Sequence, residues 1–182
     1  MAPQGSVWAR RFILGALLQG AVMFLLTAWL LWLDLPWSEA VTPAAVVAFG
    51  SAGTWLTVGY VGYILFLVVG TGLSALFYHY IEVVMGRPYE GRYNLLAWGH
   101  LLFSNVTGGL ALGLMMYGGY VGGAAMVSPF LGGGGRDSQW VHANVLGPLT
   151  VPLSILFLIA AAGPLLGGIG YFLKVVRKPS AP

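Results

Sequence analysis

From Phe12 to Leu33 the chain carries no charged residue, and only Gln19 and Thr27 are clearly polar. At 1.5 Å per residue a helix of that length crosses the roughly 30 Å hydrocarbon core of a bilayer, which takes about 20 apolar residues. The run follows Arg10 and Arg11, and Ser38-Glu39-Ala40 loosely resembles a small-residue cleavage site. A secretory signal has an apolar core of only about 7 to 15 residues, so the stretch reads as a retained anchor.

Three more apolar runs follow, at about 54–85, 94–127 and 145–176. With 58% hydrophobic and 7% charged residues, the composition lies outside that of soluble domains. The expected fold is all-α: a single integral membrane domain, a bundle of four transmembrane helices at about 10–33, 54–85, 94–127 and 145–176. There is no cysteine, which excludes disulfides, thiolate metal sites and covalently attached c-type haem. The net charge of +3 comes from few basic residues placed at segment ends, a pattern of membrane topology and not of nucleic-acid binding. With the N terminus in the cytoplasm, Arg10, Arg11, Arg87, Arg92, Lys174, Arg177 and Lys178 fall inside and only Arg136 outside. The positive-inside rule therefore predicts both termini cytoplasmic.

The connections differ in character. Residues 34–53, with two prolines and Trp37, read as an interfacial loop or surface helix. Gly86 and Pro88 break the chain into a turn between the second and third helices. The GGGG run at 132–135 lacks a following Lys-Ser/Thr and reads as a flexible connector. Gly109 with Gly113, Gly118 with Gly122 and Gly119 with Gly123 stand four apart, the spacing by which membrane helices approach closely. Pro152 and Pro164 are expected to kink the fourth helix.

Ionisable chemistry gathers between Tyr78 and Asn105. His79 precedes the turn and His100 follows it, so on antiparallel helices they reach the same depth. Paired imidazoles from neighbouring helices are how membrane bundles hold b-type haem, and imidazole also suits other metals. The bland alternative is structural, with His79 bonded to Glu82 and His100 bonded near its helix start. Glu82 is an intramembrane acid by default of functional interest, either in a proton relay with Tyr78 and His79 or at a solvated helix end beside Arg87 or Arg92. Asn105 lies deeper and needs a partner on another helix, for which Gln19 is suited. His142, beside Trp140 at the opposite end, reads as interfacial.

The runs TVGYVGYILFLVVGTGLSALFYHYIE and LLAWGHLLFSNVTGGLALGLMMYGGYVGGAAM resemble helix pairs of haem-copper oxidase subunit I over residues 54–126. Ala97-Trp98-Gly99-His100-Leu101-Leu102 occupies the family's Ala/Lys-x-x-His opening, and residues 105–109 its glycine-rich midsection. The chain departs from the family at Thr57-Val58-Gly59-Tyr60, where a haem-ligating histidine is missing, and His100 matches a position that does not bind metal in full-length oxidases. Three histidines in all cannot furnish a binuclear centre. The resemblance implies an accessory or single-haem electron-transfer subunit of a respiratory system, with His79 and His100 as axial ligands. The residues themselves leave open a cofactor-free structural or assembly subunit, packing on itself or on respiratory-complex subunits. A small transporter or channel is disfavoured by apolar helix centres and the lack of an internal repeat.

Overall fold

The computed structural model describes residues 5–176, so Arg177 and Lys178 of the topology count lie outside the described residues. Four helices are long and apolar enough to cross a membrane: α1 (Val7–Leu33), α3 (Ala52–Val84), α4 (Arg92–Met126) and α5 (Ser138–Val176). A short helix, α2 (Pro43–Ala48), fills the first connection. There is no strand among the described residues, and the protein is an all-α, multi-pass membrane protein.

Helix α1 begins earlier than its apolar run because Ser6 caps it, accepting from the Ala9 N–H at 2.9 Å. That extra turn adds Trp8, which like Phe12 is 1% exposed and packs against the bundle. Helix α5 also begins earlier, at Ser138 and not near residue 145. Asp137 supplies the cap by accepting from the Trp140 N–H at 2.7 Å. A π-helical turn at His142–Leu146 then precedes Pro148, and the helix runs on through Pro152 and Pro164.

Two of the three glycine pairs make close contacts. Gly119 and Gly123 abut Leu56 of α3 and Val46 of α2, whereas Gly118 receives Leu149 of α5 and Gly122 sits between Ala52 of α3 and Val141 of α5. Gly113 has nothing nearby, so the Gly109–Gly113 pair is not a packing seam. The glycine run at 132–135 is no loose connector: the amides of Gly133, Gly134 and Gly135 donate to the carbonyls of Ser128, Ala124 and Val127. It folds back over the end of α4 so tightly that a Cβ on Gly133 would lie 2.1 Å from the Val127 carbonyl oxygen.

In the resulting arrangement α3 and α4 are central, α1 packs on α3, and α5 packs along α4. At the α3–α4 loop end, α5 also reaches α3, where Tyr171 stacks on Phe77 and meets Tyr78 edge-on. Midway along, α3 and α5 part around a crevice lined by Phe66, Gly70, Phe157 and Ala161, and at the other end Ala52 of α3 clusters with Val141 and Leu146 of α5.

Candidate functional site

The α3–α4 turn is locked from both sides. Glu82, half-buried at the end of α3, accepts from Ser6 Oγ, from the Trp8 N–H at 3.1 Å and from the Tyr89 N–H at 3.4 Å. An anionic acceptor at a helix N-terminus satisfies donors that have no intrahelical partner. The Trp8 indole N–H donates to Asn94 Oδ1 at 3.1 Å, and Arg11 lies over both Trp8 and Trp98. From the other side, Arg87 donates to the carbonyls of Lys174 and Val175 at the end of α5. Lys174, 8% exposed, donates to the Pro88 carbonyl and sits 4.4 Å from the Tyr93 ring centroid. Glu82, at the end of α3 and lining an open polar cleft with Arg11 and Glu90, is thus turned toward α1, which it clamps. Burial, with Tyr171 and Glu82 nearby, pushes the Tyr89 phenol above its ordinary range.

Deeper in the bundle the expected amide pair is present. Gln19 Nε2 donates to the Asn105 carbonyl at 3.1 Å, with Asn105 Oδ1 at 3.4 Å. Tyr63 Oη donates to Gln19 Oε1, and Thr71 Oγ1 to Asn105 Oδ1 at 3.0 Å. Asn105 Nδ2 donates to Leu101 O at 3.0 Å. Three helices are therefore joined by one polar network. Tyr63 and Asn105 each lie in a π-helical turn, Tyr63–Val69 and Phe103–Thr107, a geometry that interrupts the usual ladder and recurs at functional positions.

The two hairpin histidines diverge. His79 is exposed on the outer face of α3, while its neighbour Tyr78, fully buried, points inward and meets His100 Nδ1 at 3.2 Å. The His100 ring, 5% exposed, packs against Phe12 at 4.8 Å and Tyr171 at 5.9 Å between centroids. A Cβ on Gly167 of α5 would lie 2.3 Å from His100 Nδ1, so that face of the ring is closed by backbone. These positions do not fit a haem held between His79 and His100. Nor does the expected His79–Glu82 bond form, since the Glu82 carboxylate is turned toward α1.

Beside His100 lies a crevice of about 390 Å³ between α3 and α5, floored by α4. Its walls are mostly apolar, including Phe12, Phe66, Leu112 and Phe157, and its polar groups are Thr71, Ser74, His100 and Ser104. Sequence reasoning missed this feature, along with Trp8, Phe12, Tyr171 and Lys174. One signal was available: Gly163, Gly167 and Tyr171 are four apart and mark the face of α5 that meets His100. Among the described residues no group of three or more His, Cys, Asp or Glu could hold a metal ion. Comparison with protein-family models, with curated proteins and with solved structures finds no match.

Proposed function

We propose that the protein is a cofactor-free structural or assembly subunit of a larger membrane complex. The observation that carries this reading is the use of its intramembrane polar groups. Gln19, Tyr63, Thr71 and Asn105 bond to one another across three helices, and Glu82 is committed to the start of α1. Groups so engaged join helices, the commonest use of uncharged polar side chains inside a membrane. Helix α1 also leaves Leu17, Leu18, Phe24 and Leu25 each at least 65% exposed, an apolar face available to lipid or to a partner helix. The respiratory setting rests on the resemblance of residues 54–126 to oxidase subunit I alone.

The test is mild-detergent purification of the full chain from its native membrane, followed by native electrophoresis, mass spectrometry and a reduced-minus-oxidised absorption spectrum. A colourless protein that co-migrates with defined membrane partners is the expected result. A b-type haem band that vanishes in His100→Ala would sink the proposal and restore the electron-transfer reading.

A further inference from the structure

His100 is a buried polar side chain with one nitrogen engaged and one not. Nδ1 faces Tyr78 Oη at 3.2 Å. Nε2 has no hydrogen-bond partner among the described residues and is not among the fully enclosed unpaired polar atoms. The ring lines the α3–α5 crevice, so Nε2 is left to that space. In the tautomer where the Tyr78 phenol donates to Nδ1, the neutral imidazole carries its proton on Nε2. That tautomer presents one N–H donor at the polar end of the crevice.

The remainder of the cavity describes what that donor would meet. Its mouth is flanked by Phe66 and Phe157, 70% and 41% exposed, so the opening faces the lipid and not water. Phe66 and Phe157 offer two exposed aromatic surfaces, which favour a planar ring over a saturated chain, while Phe12, stacked on Tyr78, closes the inner wall. A volume of about 390 Å³ falls within the roughly 300–1,000 Å³ of small-molecule pockets. Tyr171 packed on Phe77 and Tyr78 closes the loop end, so entry is lateral, from the bilayer.

We propose that this crevice binds a membrane-soluble ring carbonyl compound of the prenylated-quinone type, its carbonyl oxygen accepting from His100 in the Nε2–H tautomer and its ring lying between Phe66 and Phe157. The proposal concerns binding alone and goes beyond the structural role above. It stands whether or not a partner complex exists.

The full chain in phosphatidylcholine nanodiscs is titrated with decylubiquinone, and a photoreactive azidoquinone is mapped by mass spectrometry. Saturable labelling is expected in the peptides carrying Phe66–Ser74 and Phe157–Pro164, displaced by decylubiquinone. Ala161 lines the crevice and is exposed, so Ala161→Phe fills the mouth without disturbing the core and should abolish saturable labelling. Decylbenzene, which keeps ring and chain but lacks the carbonyls, should compete about tenfold more weakly, the worth of one good hydrogen bond. His100→Phe should remove that difference. Labelling that does not saturate in a bilayer of phosphatidylcholine, or that survives Ala161→Phe, identifies the occupant as an ordinary acyl chain and overturns the proposal. Equal competition by decylbenzene overturns the role of His100 even if His100→Phe fails to fold.

Discussion

Replacing Gly119 by alanine should destabilise the bundle, whereas the same change at Gly113, on the same helix, should not. A Cβ at 119 would stand 2.1 Å from the backbone nitrogen of Leu56 and 2.7 Å from the carbonyl carbon of Trp55. Both are main-chain atoms, so no rotamer change relieves the contact. Reaching even the 3.0 Å that real Cβ atoms respect requires α3 and α4 to separate by about 0.9 Å locally. A gap of roughly 0.5–1 Å forfeits a quarter to a half of each dispersion well of about 0.1–0.2 kcal/mol. Over the few tens of atom pairs in this contact the loss is about 1–3 kcal/mol, the usual range for overpacking. At Gly113 nothing lies within 4 Å, and alanine there gains up to about 1 kcal/mol of helix propensity. Both variants are compared with the parent by thermal unfolding in one detergent, followed by circular dichroism. If Gly119→Ala melts with or above Gly113→Ala, the close α3–α4 approach is not a feature of the folded protein.

Other expectations follow from the polar groups. In a double-mutant cycle with Gln19→Leu and Asn105→Leu, the coupling measured by unfolding in detergent should be about 0.6–2 kcal/mol, and additive losses would dismiss the bond. Glu82→Gln replaces one acceptor oxygen by a donor, so it should cost about 1–3 kcal/mol and speed hydrogen exchange at the Trp8 and Tyr89 amides; unchanged exchange there would refute the clamp. The Tyr89 hydroxyl has no hydrogen-bond partner among the described residues, so Tyr89→Phe should stabilise by about 1 kcal/mol at neutral pH. Because the folded-state pKa of Tyr89 is raised above the ordinary 10.0, its contribution is fully present below that value and is lost as pH rises through the folded pKa. Tyr89→Phe should therefore move the alkaline unfolding midpoint upward, and a downward shift would contradict the burial argument.

The four spans were legible because lipid admits long uncharged runs in few forms, and the Gln19–Asn105 bond because amides in hydrocarbon at matched depth have little else to bond. His79 and His100 were not legible as a pair. Depth follows from counting residues, but facing does not: successive residues on a helix point about 100° apart, and Tyr78, not His79, takes the inward direction. The fourth helix begins early for a reason that was visible, Asp137 as a cap, but the neighbouring glycine run masked it. That run was misread because glycine marks both slack chain and chain packed too tightly for a side chain; the carbonyl of Val127 against Gly133 decides for the second.

The same ambiguity of glycine explains why a crevice exists at all. Gly163 and Gly167 draw α5 onto α4 until a Cβ at either would strike Ser104 or His100. Tyr171, one turn further, is too large to follow and wedges between α5 and α3 against Phe77 and Tyr78. Drawn to α4 on one face and propped from α3 at one end, α5 cannot also close on the middle of α3, where Gly70 and Thr71 offer little bulk to meet Ala160 and Ala161. The gap and the position of the His100 ring thus have one cause. Enlarging Gly167 should displace the ring and distort the cavity together, and filling the mouth at Ala161 should leave the Tyr78–His100 contact in place.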